Sequence, residues 1–515
     1  MEPRPLIELN VQQAIASILQ KPRWWDKWQD DTIRERWISE VEQQFLVKTF
    51  DQSLASWSHG REPIYALRYI LEEPLLAKRE MLSADMKVTI YPAGVDGVWI
   101  SDNIISDEMA VKFKREVAVL ENVPDDEQDW HPDSKQQVLD LVHPSLFCCV
   151  FGKTLRTSTA LDPSSFSTPL EQMNRLMFSG SEVVENASGC RTDYQWIPTD
   201  FLVTEGGEPG SDSDISVRTL SYINNLHPGQ HGDLYDSIEK IFAKFVPLFE
   251  RMLNDQEEGL PRSTFRANMQ CHDTSRELPP RPKVPKLTKL PKKSVTISLR
   301  GKTLQIIVKI AEIILTPENP KYKGGAWHIE GTLAENIVGT GIYYFGCENI
   351  KDSRLAFRAE VEEPPYQQND DDGVAEIYGL FSNSLLVQKL GIVETPDARC
   401  VVFPNSLQHQ VQQFQLDDPS RPGVRKILAF FLIDPENSIP STSVIPPQQQ
   451  EWMKMPMNLT DVDAVQANIE AMLPKKMTLE EAKEHRLKLM KERSVKQLDE
   501  DEREGDSRYF SLCEH

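Results

Sequence analysis

The sequence predicts an α+β protein: a double-stranded β-helix, or jelly roll, core with an extensive N-terminal helical region and C-terminal helices. Three observations carry this. Apolar residues recur at three- and four-residue steps before residue 90, short β-branched and aromatic runs fill 304–434, and a strongly helix-forming stretch follows 461.

From Val11 onward, Ala14, Ile18, Ile33, Trp37, Ile38, Val41, Ala66, Ile70 and Leu75 mark helical faces, so residues 1–90 are assigned as helical. Residues 91–277 form a mixed, mainly helical region that packs on the core. Within it Asp107–Glu121 and Asp233–Leu253 are the helices, the second with Ile238, Ile241, Phe242, Phe245, Leu248 and Phe249 on one side. Residues 278–294, LPPRPKVPKLTKLPKKS, are a linker or loop: repeated Pro blocks regular structure and the lysines favour solvation. The β-helix occupies 295–445. Its strands are expected at Leu304–Leu315, Ile337–Phe345, Arg354–Val361, Val374–Leu380, Leu385–Val393, Arg399–Phe403, Gln410–Leu416 and Lys426–Asp434. The tail 446–515 returns to helix, most strongly in MTLEEAKEHRLKLMKERS.

Composition narrows the function. Lys and Arg number 57 against 79 Asp and Glu, and the resulting charge of −22 repels a nucleic-acid backbone or an anionic membrane, so neither partner is expected. Seven cysteines, an odd number without a CxxC pair, point to a reducing compartment. The first twenty residues lack an apolar core of signal-peptide length, and no apolar run is long enough to span a bilayer. The expected location is cytoplasmic, or nuclear if the basic run 278–294 acts as an import signal. No GxGxxG, Walker loop or GxSxG elbow occurs, which argues against nucleotide-binding and serine-hydrolase chemistry.

The chemistry concentrates in Gly325-Ala326-Trp327-His328-Ile329-Glu330. In an extended segment residues two apart point to one side, so His328 and Glu330 can reach one metal ion. A second His is needed, and His409 supplies it at 409 − 328 = 81 residues downstream, at the start of a later strand. In a jelly roll the first and penultimate strands lie close, so a wide gap is expected. Two His and one carboxylate on one face of octahedral Fe(II) leave positions for a bidentate cosubstrate and O₂. Arg425 opens RKILAFFLIDP, 425 − 409 = 16 residues on, where its planar fork suits the distal carboxylate of 2-oxoglutarate; Arg421 competes for that role.

The order HxE, IYYF, FPNSLQHQV and RKILAFFLID resembles the core of the Fe(II)/2-oxoglutarate-dependent oxygenases. That resemblance implies Fe(II), 2-oxoglutarate and O₂ as cofactor and cosubstrates, hydroxylation as the default outcome, and Tyr344 as a hydrogen-bond partner of the 2-oxoglutarate carboxylate. Glu330 stands where Asp is commoner, and Asp417–Val424 lengthens the His-to-Arg interval. Over nearly the whole chain the sequence also resembles the largely fungal domain-of-unknown-function family 4246. The strings that carry this are KPRWWDKW, DGVWISDNII, DEQDWHPDSKQQVLDLVHPSLF, YINNLHP, KGGAWHIEGTLAENIVGTGIYYF and FSLCEH. The family name supplies no substrate, so a small molecule and a peptide both stay open. A β-helix without catalysis, serving as a binding or scaffolding module, is the alternative.

Other motifs have plainer readings. His227, His231 and Asp233 lie at a turn into a helix, where Asp233 caps or charges the first turn; Asn224, Asn225 and His227 are weighed as pocket-lining residues. His131 and His143, each before Pro and near Asp129 and Asp140, are read as structural. Cys271-His272 lacks partners at metal-ligand spacing. Tyr343 and Tyr344 alternate across a strand, so one packs while the other faces the interior.

Overall fold

A computed structural model describes residues 1–48, 90–158, 160, 181–189, 191–205, 215–258, 297–365, 370–453, 476–503 and 509–510. Apolar runs buried on both faces dominate its centre, and they build a large antiparallel sheet. Its order runs Tyr91–Pro92, Trp99–Ser101, Cys400–Pro404, Ile337–Glu348, Gly423–Ile433, Thr303–Leu315, Thr199–Glu205, Ile215–Thr219, with Val138–Val142 also paired to Thr303–Leu315. A smaller sheet has the order Val387–Glu394, Arg354–Glu360, Gln408–Val411, and a third joins Lys321–Tyr322, Phe414–Leu416 and Ile350–Lys351. Among the described residues these ladders do not close into a ring.

The two faces of the large sheet have different partners. Ile306, Val308, Ile310, Tyr343, Phe345, Leu428 and Phe430 pack on one side with Phe242, Phe245 and Phe249 of the helix Gly232–Glu258. Ile307, Ile342, Tyr344, Ala429 and Phe431 point the other way, towards Phe357 of the smaller sheet and Phe403, whose rings lie 5.1 Å apart. Period-two alternation therefore separates a helix-covered face from an inter-sheet interior. The helix approaches closely because Gly341 has no side chain: a Cβ there would lie 2.8 Å from Phe245 Cδ1 and 2.9 Å from Phe249 Cζ.

The N-terminal helices Leu6–Leu19 and Asp31–Lys48 agree with the expected periodicity. They are tied to the sheets by a fully buried cation. Arg399 forms a fork on Asp102 at 2.6 and 2.8 Å and also donates to the Gln20 carbonyl at 3.0 Å. The expected helical marks at Ala66, Ile70 and Leu75, and the linker 278–294, lie outside the described residues.

One strand expectation is corrected. Val374–Leu380 does not form a strand, because most of it lies in the helix Asp371–Tyr378. The Asp370 side chain accepts from Gly373 N, Asp371 and Asp372 occupy the first turn, and Gly379 closes the C-terminus at φ 65°. These caps outweigh the β-branched composition of the segment. In the tail the helix Leu479–Arg503 is present, and Tyr509–Phe510 pairs with Ser384–Leu385. Among the described residues no helix is long and apolar enough to cross a membrane.

Candidate metal centre

His328 lies outside any long strand but is anchored to one, since its backbone N–H and C=O both pair with His409, at 3.1 and 2.9 Å. Because paired residues point to one side, the imidazoles meet with ring centroids 4.3 Å apart. Two residues on, Glu330 projects from the same side. Its Oε1 lies 3.7 Å from His328 Nε2 and 3.4 Å from His409 Nε2. Asn405 fixes the Glu330 backbone from both directions, accepting from its N–H and donating to its carbonyl, each at 2.9 Å.

The donor set fits a divalent metal. His328 Nδ1 lies 2.9 Å from the Ala326 carbonyl, which only accepts, so the ring proton sits on Nδ1 and Nε2 offers its lone pair to the centre. Burial would push the Glu330 carboxyl up, but hydrogen bonds to both imidazoles hold it well below the usual range. His328 is also subject to burial, which lowers it, yet Glu330 reverses this and raises it. Burial, reinforced by His328, lowers His409. Exposure grades from 37% for His328 through 17% for Glu330 to 4% for His409, so the centre opens on the His328 side.

Arg425 and Tyr344 form a second part of the interior. Arg425 is 2% exposed, with its guanidinium 4.7 Å from the Tyr344 ring and 5.6 Å from the Phe414 ring. Arg425 Nε and Tyr344 Oη are buried without hydrogen-bond partners, and no carboxylate pairs with Arg425 among the described residues. A buried cation among aromatics with unused donors suits an incoming carboxylate. Arg421, by contrast, is 69% exposed and pairs with Asp418 at 3.0 Å.

The structure does not gather His227, His231 and Asp233. Asp233 charges the first turn of Gly232–Glu258, and His227 packs edge-on against Trp452. Asn224 and Asn225 donate to backbone carbonyls of 143–147, which makes them structural. A tighter cluster forms from His131, Asp140 and His143. It is a charge network: His143 Nδ1 accepts from Ser145 N at 3.2 Å, which leaves the ring proton on the Nε2 that faces Asp140. Arg486 adds a cation, 3.8 Å from Asp140 and forked on Asp129. Cys271-His272 lies outside the described residues.

Sequence reasoning missed three supports of the centre. Asn405 gave a signal only in its position four residues before His409. Glu335 is fully buried behind the loop that follows Glu330; its carboxylate accepts from Thr332 N, Thr332 Oγ1, Trp196 N and Arg493. Arg493, from the C-terminal helix, also lies 3.8 Å over the Trp196 ring.

No curated protein matches the chain. Among solved structures, a bsmA homologue from Methylobium petroleophilum PM1 aligns at 9% identity and TM-score 0.25, over 65% of this chain and 87% of that one. The Fe(II)/α-ketoglutarate-dependent dioxygenase TqaL aligns at 10% and 0.24, over 66% and 96%. The rice dioxygenase for auxin oxidation aligns at 11% and 0.25, over 67% and 76%. These superpositions are loose, and the chemistry of the centre rests on its own geometry. The chain belongs to the family described as protein of unknown function, DUF4246, whose profile matches residues 66–456.

Proposed function

We propose that the protein is an Fe(II)- and 2-oxoglutarate-dependent oxygenase built on a double-stranded β-helix. The observation that carries this is the convergence of His328 Nε2, Glu330 Oε1 and His409 Nε2, with the unpaired buried Arg425 in the same interior. The strand order supports the fold. In the large sheet Thr303–Leu315, Gly423–Ile433, Ile337–Glu348 and Cys400–Pro404 are consecutive neighbours, and opposite them the His328 segment, Gln408–Val411, Arg354–Glu360 and Val387–Glu394 follow in turn. This is two interleaved sets of strands wound from one chain.

When bound, Fe(II) would supply oxidative activation of O₂ coupled to 2-oxoglutarate decarboxylation, and His328, Glu330 and His409 would hold it. The chain's own residues do the rest. Glu330 stays ionised at neutral pH and so keeps its ligand oxygen. Ala326 and Asn405 orient the ligands before metal arrives. Arg425 takes the distal carboxylate through its fork, with the Tyr344 hydroxyl beside it as a further donor, while Phe414, Phe357 and Phe403 keep the interior apolar. Hydroxylation of a small-molecule or peptide substrate is the default outcome.

The test is anaerobic titration of the Fe(II)-loaded protein with 2-oxoglutarate. A weak visible charge-transfer band that saturates at one equivalent of iron is expected, and it should vanish in His409→Ala. Iron binding without such a band would overturn the assignment.

A further inference from the structure

The interior wall of the large sheet is built in cross-strand rows. Phe403, Thr340, Phe431 and Ile307 make one row, and the His409 ring packs 4.8 Å from Phe403 in it. The next row is Val401, Ile342, Ala429 and Lys309. Beyond that lie Tyr344, Ile427 and Ala311, then Arg425 with Ile313. Lys309 thus occupies the same face as Ile307, between the row touching the metal ligands and the rows that hold Arg425. A lysine here stands between Ile307 and Ala311 on an otherwise apolar stretch of this face, and its neighbour Ala429 leaves room beside it.

Lys309 forms no hydrogen bond or ion pair within the structure's described residues, and its charge is felt at His328, Asp140 and His143. Asp140, one of the groups that feel this charge, sits across from Ala311 and is already engaged by His131 and Arg486. Asp129 and Asp140 are faced by Arg486 and Lys483, two carboxylates against two cations. Glu335 has Arg493 and Asp102 has Arg399. With a dianionic cosubstrate between the metal and Arg425, the charges of metal, Glu330, Arg425 and cosubstrate cancel. Among these groups Lys309 is left without a hydrogen-bond or ion-pair partner among the described residues.

We propose that Lys309 binds a carboxylate of the substrate to be oxidised, so that the enzyme takes an organic acid anion whose reacting carbon lies near that carboxylate. This rests on the oxygenase reading for the identity of the reaction, but the binding itself does not need iron. An ammonium in an apolar row recognises such a group by charge and hydrogen bonding, and a neutral analogue would leave it unpaired, which is a strong basis for discrimination.

Metal-free full-length protein, kept in chelator, is titrated calorimetrically with acetate, benzoate and octanoate and with their amides. At least one carboxylate is expected to bind tenfold or more tightly than its amide. Lys309→Met should abolish that preference while Lys309→Arg keeps it. Melting temperatures and iron content establish that each variant is folded. In parallel, the Fe(II)-loaded Lys309→Met protein is titrated anaerobically with 2-oxoglutarate, and its affinity should stay within threefold of wild type. The proposal is overturned if no carboxylate is preferred or if the preference survives Lys309→Met. It is also overturned if Lys309→Met weakens 2-oxoglutarate tenfold, which would assign the lysine to the cosubstrate. Absence of a charge-transfer band in the wild type would overturn the oxygenase reading alone, and the carboxylate preference would still be read in the metal-free protein.

Discussion

A buried guanidinium without a counter-ion is costly, and around Arg425 the Tyr344 and Phe414 faces offset part of that cost and an incoming anion would offset more. Arg425→Ala is therefore expected to retain iron and to lose about 2–5 kcal/mol of 2-oxoglutarate binding, with Arg425→Lys recovering part of it because Lys lacks the fork. Arg421→Ala should change nothing measurable, since that residue is solvated on Asp418. Cosubstrate titrations of the two Ala variants side by side decide between them, and a defect that follows Arg421 would refute the assignment. Asp233→Ala should cost about 0.3–1 kcal/mol through the lost first-turn charge and leave iron content unchanged. The three side chains of the candidate centre were legible as a group because two of them share one side of an extended segment and the third is a His on a later strand. Asn405, Glu335 and Lys309 were not legible. Their roles depend on which residue stands opposite across a sheet or behind a loop, and that register is written in no single segment.

Elements with an unbroken pattern were read well, and those governed by their ends were not. Thr303–Leu315 and Ile337–Glu348 are buried on both faces over most of their length, so burial sets them, whereas the helix Asp371–Tyr378 is decided by Asp370 and Gly379 at its ends. The C-terminal helix Leu479–Arg503 was read as a helix, but its charges gave no hint of where it docks. It docks by charge: Arg486 on Asp129 and Arg493 on Glu335. Arg493→Ala would leave the fully buried Glu335 carboxylate short of a donor, at an expected cost of about 1–3 kcal/mol. Because Glu335 also holds Thr332, two residues beyond Glu330, iron affinity should fall together with the melting temperature. Arg493→Lys should restore little, since Lys cannot both stack on Trp196 and reach the carboxylate in the same way. A melting temperature equal to wild type in Arg493→Ala would show that the helix is not a clamp on the ligand loop.

Across the whole molecule, buried imidazoles make stability depend on pH in a defined direction. Burial holds His143 well below its ordinary value of 6.5, overriding the attraction of Asp140, and burial likewise lowers His409, His227, His231 and His485. For each of these the folded state resists a proton that the unfolded chain accepts. Their contribution is complete above about pH 6.5 and is lost as the pH falls below it. His328 acts in the opposite sense in the metal-free protein, because Glu330 raises it and protonation there favours the folded state. Asp140 is held far below 3.8 despite burial, by His143 and His131 among others, and so costs stability only under much stronger acid. Among the described residues, five lowered imidazoles against one raised give a net loss on mild acidification. His143 alone accounts for up to about 1.4 kcal/mol per pH unit below 6.5. The urea midpoint of metal-free protein should therefore drop between pH 7.5 and 5.5. In His143→Asn, whose side-chain oxygen can still accept from Ser145 N, the drop should be smaller by the equivalent of one proton. An identical drop in the variant would mean that His143 is protonated in the folded state, with the attraction of Asp140 prevailing over burial.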